Sequence, residues 1–311
     1  MPGKLEYPCY QMTNSPLPLR SMLFAPGNND RHTQKALTLA TDAVIFDLED
    51  AVAMSEKPAA RSAVARLLAA DRPSRWPLRY VRVNGDTTEW HADDVASIVC
   101  ANLDGIVLPK AEHPDKVSAV HARISDLEAK AGLNVGAIDL LPIVETGVGL
   151  ANVRAIAGCC DRVRRLSFGA ADFVVDMGMR WTPSEAELMP ARAEIALACR
   201  IAGLDGPIDS VWARLDDPDG LSGSAERVRD LGYQGKFCIH PGQLATILTT
   251  FSPTADEVIF ATAVVDAFDQ AEAEGRASIV VEEQFIDYPI AARAARVLAT
   301  AEMIKSREEN Q

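Results

Sequence analysis

A (β/α)8 barrel followed by a C-terminal helical extension is the fold class this 311-residue sequence predicts. Three observations carry it. Short apolar runs alternate with longer helical patterns through most of the chain. Polar residues crowd the positions just after those runs, where a barrel places its active site. The turn after the first run, Pro26-Gly27-Asn28-Asn29, is no dinucleotide fingerprint, so a doubly wound sheet is the poorer reading. The length admits one large barrel or two ordinary domains, and 48% apolar residues are ample for a core.

Residues 1–19 are Pro-rich and polar and read as a loosely held tail, 20–252 as the barrel, and 253–311 as the extension. Eight runs read as strands: Ser21–Ala25, Ala43–Asp47, Arg79–Val83, Gly105–Leu108, Asp139–Val144, Arg165–Phe168, Pro207–Ala213 and Gly235–Ile239. Helix candidates between them are Asp30–Ala40, Lys57–Ala70, Trp90–Cys100, Pro114–Ala131, Val148–Gly158, Pro183–Ala202 and Ser222–Leu231, with Pro241–Leu248 after the eighth run. Beyond the barrel come an Ala-rich acidic helix over Pro253–Glu274, a short Ser278–Val281 run, the segment Glu283–Pro289 and a last helix.

Lys plus Arg number 31 against 44 Asp plus Glu, a formal charge of −13, which disfavours nucleic acid or an anionic membrane as a partner. No stretch approaches the ~20 apolar residues of a membrane span, and the first residues lack the apolar core of a secretory signal. The six cysteines form no C-x-x-C pair and suit a reducing compartment, so the expected location is cytoplasmic; Cys159, Cys160 and Cys238 read as packing residues.

Two runs end in carboxylates. Leu140–Val144 leads to Glu145-Thr146-Gly147, and Leu166–Phe168 to Gly169-Ala170-Ala171-Asp172. Glu145 and Asp172 together form an oxygen donor pair suited to Mg²⁺, which takes one or two carboxylates and fills its other positions with water and substrate. Taken singly, each carboxylate could equally cap the helix that follows. The other run ends supply Asp47-Leu48-Glu49-Asp50, Arg82-Val83-Asn84, Pro109-Lys110, Asp216-Asp217 and His240-Pro241.

These segments, with Arg20–Gly27, Lys57, Arg61 and Gly235-Lys236 through Pro241, resemble in order the citrate lyase β-subunit-like proteins of the HpcH/HpaI aldolase superfamily, which include malyl-CoA and citramalyl-CoA lyases. The resemblance implies a Mg²⁺-dependent barrel enzyme that makes or breaks a carbon–carbon bond in an acyl thioester. It implies Glu145 and Asp172 as metal ligands and an Ile-Asp-x-Pro segment whose Asp, here Asp287, is an acid/base reaching a neighbouring protomer's site. That requires a homo-oligomer, a trimer or hexamer with a shared lid. Without the resemblance, Asp287 reads as a cap for the last helix.

In this chemistry Arg82 would donate to the developing oxyanion, with Asp47 and Glu49 orienting it or holding metal waters. Backbone amides of Gly169, Ala170 and Ala171 would receive the substrate carboxylate beside Glu145. Coenzyme A phosphates call for a cation at the rim, and Arg20 and Lys110 border the matching motifs; Arg31 and Lys35 read as a solvated helix face. His240 reads as a hydrogen-bonded structural residue.

Overall fold

The structure, a computed structural model, describes residues 19–309. The expected tail lies outside the described residues except for Leu19. Eight strands, β1 (Ser21–Pro26), β2 (Ala43–Asp47), β3 (Leu78–Arg82), β4 (Gly105–Leu108), β5 (Asp139–Val144), β6 (Ser167–Phe168), β7 (Ile208–Asp209) and β8 (Gly235–Cys238), form a closed barrel in chain order. All pair in parallel, and β8 returns to β1 through Met22↔Phe237.

The barrel separates two apolar layers, because side chains alternate along a strand. Met22, Ala43, Ile45, Tyr80, Val107, Leu141, Ile143, Ile208 and Phe237 fill the interior. Their neighbours, such as Val44, Phe46, Val81, Leu140 and Val144, pack under the surrounding helices. The same period continues past the strand ends: Ile45 is followed on its face by Asp47, Tyr80 by Arg82, and Ile143 by Glu145. Polar groups thus reach one rim because the alternation that packs the interior has not yet stopped.

Helices start largely where the sequence places them. Lys57–Ala69 and Pro114–Lys130 have Pro in the first turn, where its missing N–H costs nothing, and Asp217 caps Pro218–Asp230 through Gly220 N at 2.9 Å. The single helix expected over Val148–Gly158 is two, Gly147–Ala151 and Val153–Ala157, separated at Asn152, whose side chain donates to the Glu112 carbonyl at 2.8 Å. No helix among the described residues is long and apolar enough to cross a membrane.

The described residues divide into two compact units, Leu19–Phe251 and the segment from Ser252 onward. The second contains helix Ala255–Ala273, an antiparallel hairpin of β9 (Ser278–Val281) and β10 (Gln284–Asp287), and helix Tyr288–Glu309. Thr254 and Glu257 form a capping box at its start. Val264, Phe268, Ile286, Ala291 and Ala294 form its core. The extension is therefore not wholly helical. Glu282 and Glu283 turn the hairpin at φ +46° and +63°, left-handed values for which Asn-Gly is the usual signal and Glu-Glu gives none.

Candidate active site

Lys110 ties the rim together. It follows β4 in a left-handed conformation, φ +50°, unusual for a residue with a Cβ. Its backbone N–H donates to Glu145 Oε1 at 2.7 Å, while its Nζ lies 3.1 Å from Glu49 Oε1 and 3.6 Å from Asp172 Oδ1. Glu49 in turn faces Arg82 Nη1 at 2.9 Å. Residues from the ends of β2, β3, β4, β5 and β6 thereby form one cluster.

Arg82 is held rather than free. Asp47 accepts from its Nε at 2.7 Å and Nη2 at 2.6 Å, the two residues being register partners, and Phe24 lies under the guanidinium at 4.8 Å. Asp47 also accepts from the amides of Glu49 and Ala51, fixing the loop that carries Glu49. Asp50 stands at the exposed edge, 3.5 Å from Arg82. Lys57 donates to the carbonyls of Leu48 and Glu49, and Asn84 Nδ2 donates to Leu48 O and to Asp94, which also pairs with Arg61 at 2.7 Å. Asp94, fully buried beneath the loop, carried no cue in the sequence because its partners lie on other elements.

Neither carboxylate of the expected metal pair is used as a helix cap. Thr146, not Glu145, caps Gly147–Ala151 through Gly149 N at 3.0 Å, and Gly169 precedes Ala170–Asp176 with no side-chain cap. The two turns are joined by Asp176, which accepts from Gly147 N at 2.7 Å. Burial, then the charges of Asp172 and Glu49, push the Glu145 carboxyl up to about 8. Burial likewise raises Glu49, against the opposing pull of Arg82. Carboxylate charge thus exceeds what Lys110 and Arg82 balance, and an all-oxygen pair on adjacent turns fits a hard divalent ion that keeps room for water and substrate. No set of three or more His, Cys, Asp or Glu ligands occurs among the described residues.

Gly169 has to be glycine here: a Cβ would overlap the Glu145 carboxylate and come within 2.6 Å of its Cβ. Gly169→Ala should displace Glu145 and weaken Mn²⁺ binding about tenfold or more, read by calorimetry, with little change in melting temperature. An unchanged affinity would mean that Glu145 is not a ligand.

Several expectations need correcting. The Gly169 amide is bonded to Val144 O at 3.1 Å and the Ala170 amide to Ser210 Oγ at 2.8 Å, so neither offers a donor to a ligand. Ala171 N, at the exposed start of the helix, keeps that capacity. Ser210 carries no motif of its own in the sequence, although its place two residues past the inward Ile208 marks it as rim-facing. Arg20 precedes β1 and so lies at the opposite rim, buried against Asp42 through Nε and Nη2 at 3.1 Å each; strand polarity removes it from any coenzyme site at the C-terminal rim. Lys110 is at the right rim, but its ammonium faces Glu49 and Asp172 rather than standing open to a phosphate. His240 is a structural residue, its Nδ1 accepting from Gly242 N at 3.0 Å. In the second unit, Asp287 accepts from Ile290 N at 3.3 Å, a contact of the capping kind.

A closed parallel barrel with two rim carboxylates and a forked arginine defines a class of barrels built for metal-assisted chemistry on small oxygenated substrates. The chain belongs to the HpcH/HpaI aldolase/citrate lyase family, whose profile matches residues 20–241. It is 33% identical over 282 residues to the citrate lyase subunit beta of Leuconostoc mesenteroides subsp. cremoris, covering 91% of this chain and 93% of that one. It is 36% identical over 294 residues to a (3S)-malyl-CoA thioesterase of Cereibacter sphaeroides, covering 94% and 98%. Among solved structures it resembles the CitE protein of Mycobacterium tuberculosis in complex with magnesium, acetoacetate and coenzyme A, with a TM-score of 0.74, 27% identity and coverage of 92% and 98%.

Proposed function

We propose that this chain is a Mg²⁺-dependent carbon–carbon lyase that cleaves a small β-hydroxyacyl-CoA, citramalyl-CoA or malyl-CoA, to acetyl-CoA and a 2-keto acid by retro-Claisen chemistry. The observation that supports it most is the Lys110-centred cluster, which gathers Glu145, Asp172, Glu49 and, through Glu49, Arg82 at one rim. Mg²⁺ held by Glu145 and Asp172 would lower the pKa of the substrate hydroxyl and polarise the carbonyl that forms from it. Arg82, oriented by Asp47 and Glu49, donates to that oxygen as the hydroxyl proton passes to solvent water, from which the Asp287 carboxyl regains the proton it later gives to carbon. The bond between the thioester α-carbon and the carbinol carbon breaks, and its electron pair becomes the thioester enolate. Ala171 N holds the keto-acid carboxylate. Asp287, from a neighbouring protomer, protonates the α-carbon.

The (3S)-malyl-CoA thioesterase among the relatives supports a second reading, in which thioester hydrolysis follows or replaces cleavage. Mass spectrometry separates the two. The protein is incubated with Mg²⁺, acetyl-CoA and pyruvate or glyoxylate, and in parallel with each hydroxyacyl-CoA, against an EDTA control. Mg²⁺-dependent interconversion supports the lyase and identifies its keto acid, and release of free CoA supports the thioesterase. No turnover of any of these thioesters counts against both.

The shared lid has its own test. Asp287→Ala and Glu145→Gln should each be inactive alone, and mixing them under subunit exchange should restore part of the activity. No rescue in exchanged oligomers would place Asp287 in service of its own chain or reduce it to the cap of the last helix.

A further inference from the structure

We propose that the cleft between the loops following β6 and β7 is a binding site for a small organic carboxylate with a flat apolar body, separate from the carboxylate cluster. The cleft, of about 160 Å³, is half open and lined by Trp181, Thr182, Pro183, Trp212, Ala213 and Arg214, none of which belongs to the site described above. An apolar cavity of about 150 Å³ is large enough for a benzene ring.

Its walls are built in advance. Glu185, fully buried and left-handed at φ +53°, accepts from Trp181 Nε1 at 3.4 Å, and Glu187 accepts from Thr182 N and Oγ1 at 2.6 Å each. Across the cleft, Gln243 donates to the Trp212 carbonyl at 2.8 Å. Gly220 lies so close to the Trp212 ring that a Cβ there would stand 2.5 Å from it. The Trp181 indole is thus held by Glu185, the Trp212 backbone by Gln243, and the Trp212 ring lies against Gly220, so little ordering remains to oppose binding.

One accessible donor in this cleft is unspent. The Arg214 guanidinium is exposed and has no hydrogen-bond or ion-pair partner among the described residues, its exposed neighbour Asp216 included. The nearby carboxylates of Glu185, Glu187 and Asp217 are all engaged. In a chain of net charge −13, an unpaired guanidinium beside two aromatic faces selects an anion that also carries apolar surface. Phosphate alone would leave the indoles unused, and a neutral ring would leave the guanidinium unused.

The test uses the full-length protein in EDTA, so that no metal presents a rival carboxylate site. Two of its four tryptophans line the cleft, so their fluorescence reports occupancy. Phenylacetate should give a saturable change, and both Arg214→Gln and the neutral probe phenylacetamide should weaken it about tenfold or more. The same titration with 4-fluorophenylacetate, followed by ¹⁹F relaxation, covers binding that leaves the indoles spectroscopically silent. Arg214 is a surface residue, so its replacement leaves the fold in place. Loss of affinity in Arg214→Gln alongside weak phenylacetamide binding establishes the site; no saturable binding by either method, or equal affinity in Arg214→Gln, overturns it. Neither result depends on the lyase reading.

Discussion

Glu145→Gln and Asp172→Asn should each lower Mg²⁺-dependent turnover by about 10³-fold or more while leaving the fold intact. The two side chains sit on adjacent turns at the rim, and each amide keeps the shape of the acid it replaces but removes the anionic oxygen a hard cation requires. Structure should survive because Thr146, not Glu145, caps the helix after β5, and Asp172 caps nothing in the helix it enters. In Glu145→Gln the amide carbonyl can still accept from Lys110 N. Initial rates across a Mg²⁺ titration, paired with melting curves, check both halves. Near-full activity in either variant at saturating Mg²⁺ would mean that the metal is held elsewhere.

Arg192→Leu should cost about 3–5 kcal/mol of stability, because it leaves two buried carboxylates short of their cation. Arg192 is fully buried, and its guanidinium bonds Glu185 at 3.0 and 3.1 Å and Asp209 at 2.9 and 3.0 Å. Lys236 would remain with Asp209, and Ser224 with Glu185. Burial alone would raise the Glu185 carboxyl, but Lys236 and Arg192, with the hydrogen bonds of Arg192 and Ser224, hold it down at about 2. A carboxylate lowered on folding stabilises above its unfolded value, near 4.5, and that contribution disappears as pH falls through about 2. Wild type should therefore lose this stabilisation progressively below about pH 4.5. In Arg192→Leu much of it is already absent at neutral pH, so the curve between pH 2 and 5 should be flatter. Urea denaturation at several pH values measures both effects, and a loss below about 1 kcal/mol at pH 7 would show that the remaining cations suffice.

Much of the barrel was readable from alternation. The eight runs correspond to the eight strands, since a run buried on both faces needs continuous apolar character whatever its partner. Their ends were less readable. Pro207–Ala213 shrinks to Ile208–Asp209, and Arg165–Phe168 to Ser167–Phe168, because pairing stops where the register with the neighbouring strand stops. Apolar character past that point serves packing, as Trp212 does under the helices.

The site divides in the same way. Glu145, Asp172, Arg82, Asp47 and Glu49 announce themselves by their residue type and their place after apolar runs. The place of Arg20 is legible in the same way, since a residue before a strand lies at the opposite rim. Lys110 is different: only the folded chain shows its backbone amide on Glu145 and its ammonium between Glu49 and Asp172. The Ala170 amide is likewise claimed by a serine 40 residues away.

Sequence alone determined the barrel and placed Glu145, Asp172, Glu49 and Arg82 together at one rim, because strand period and residue chemistry are local properties. Tertiary structure decided which donors are already spent, which carboxylates are left to share too little positive charge, and where Glu185, Arg192 and Asp209 find one another. Those outcomes depend on distances between residues far apart in the chain, which no local pattern encodes.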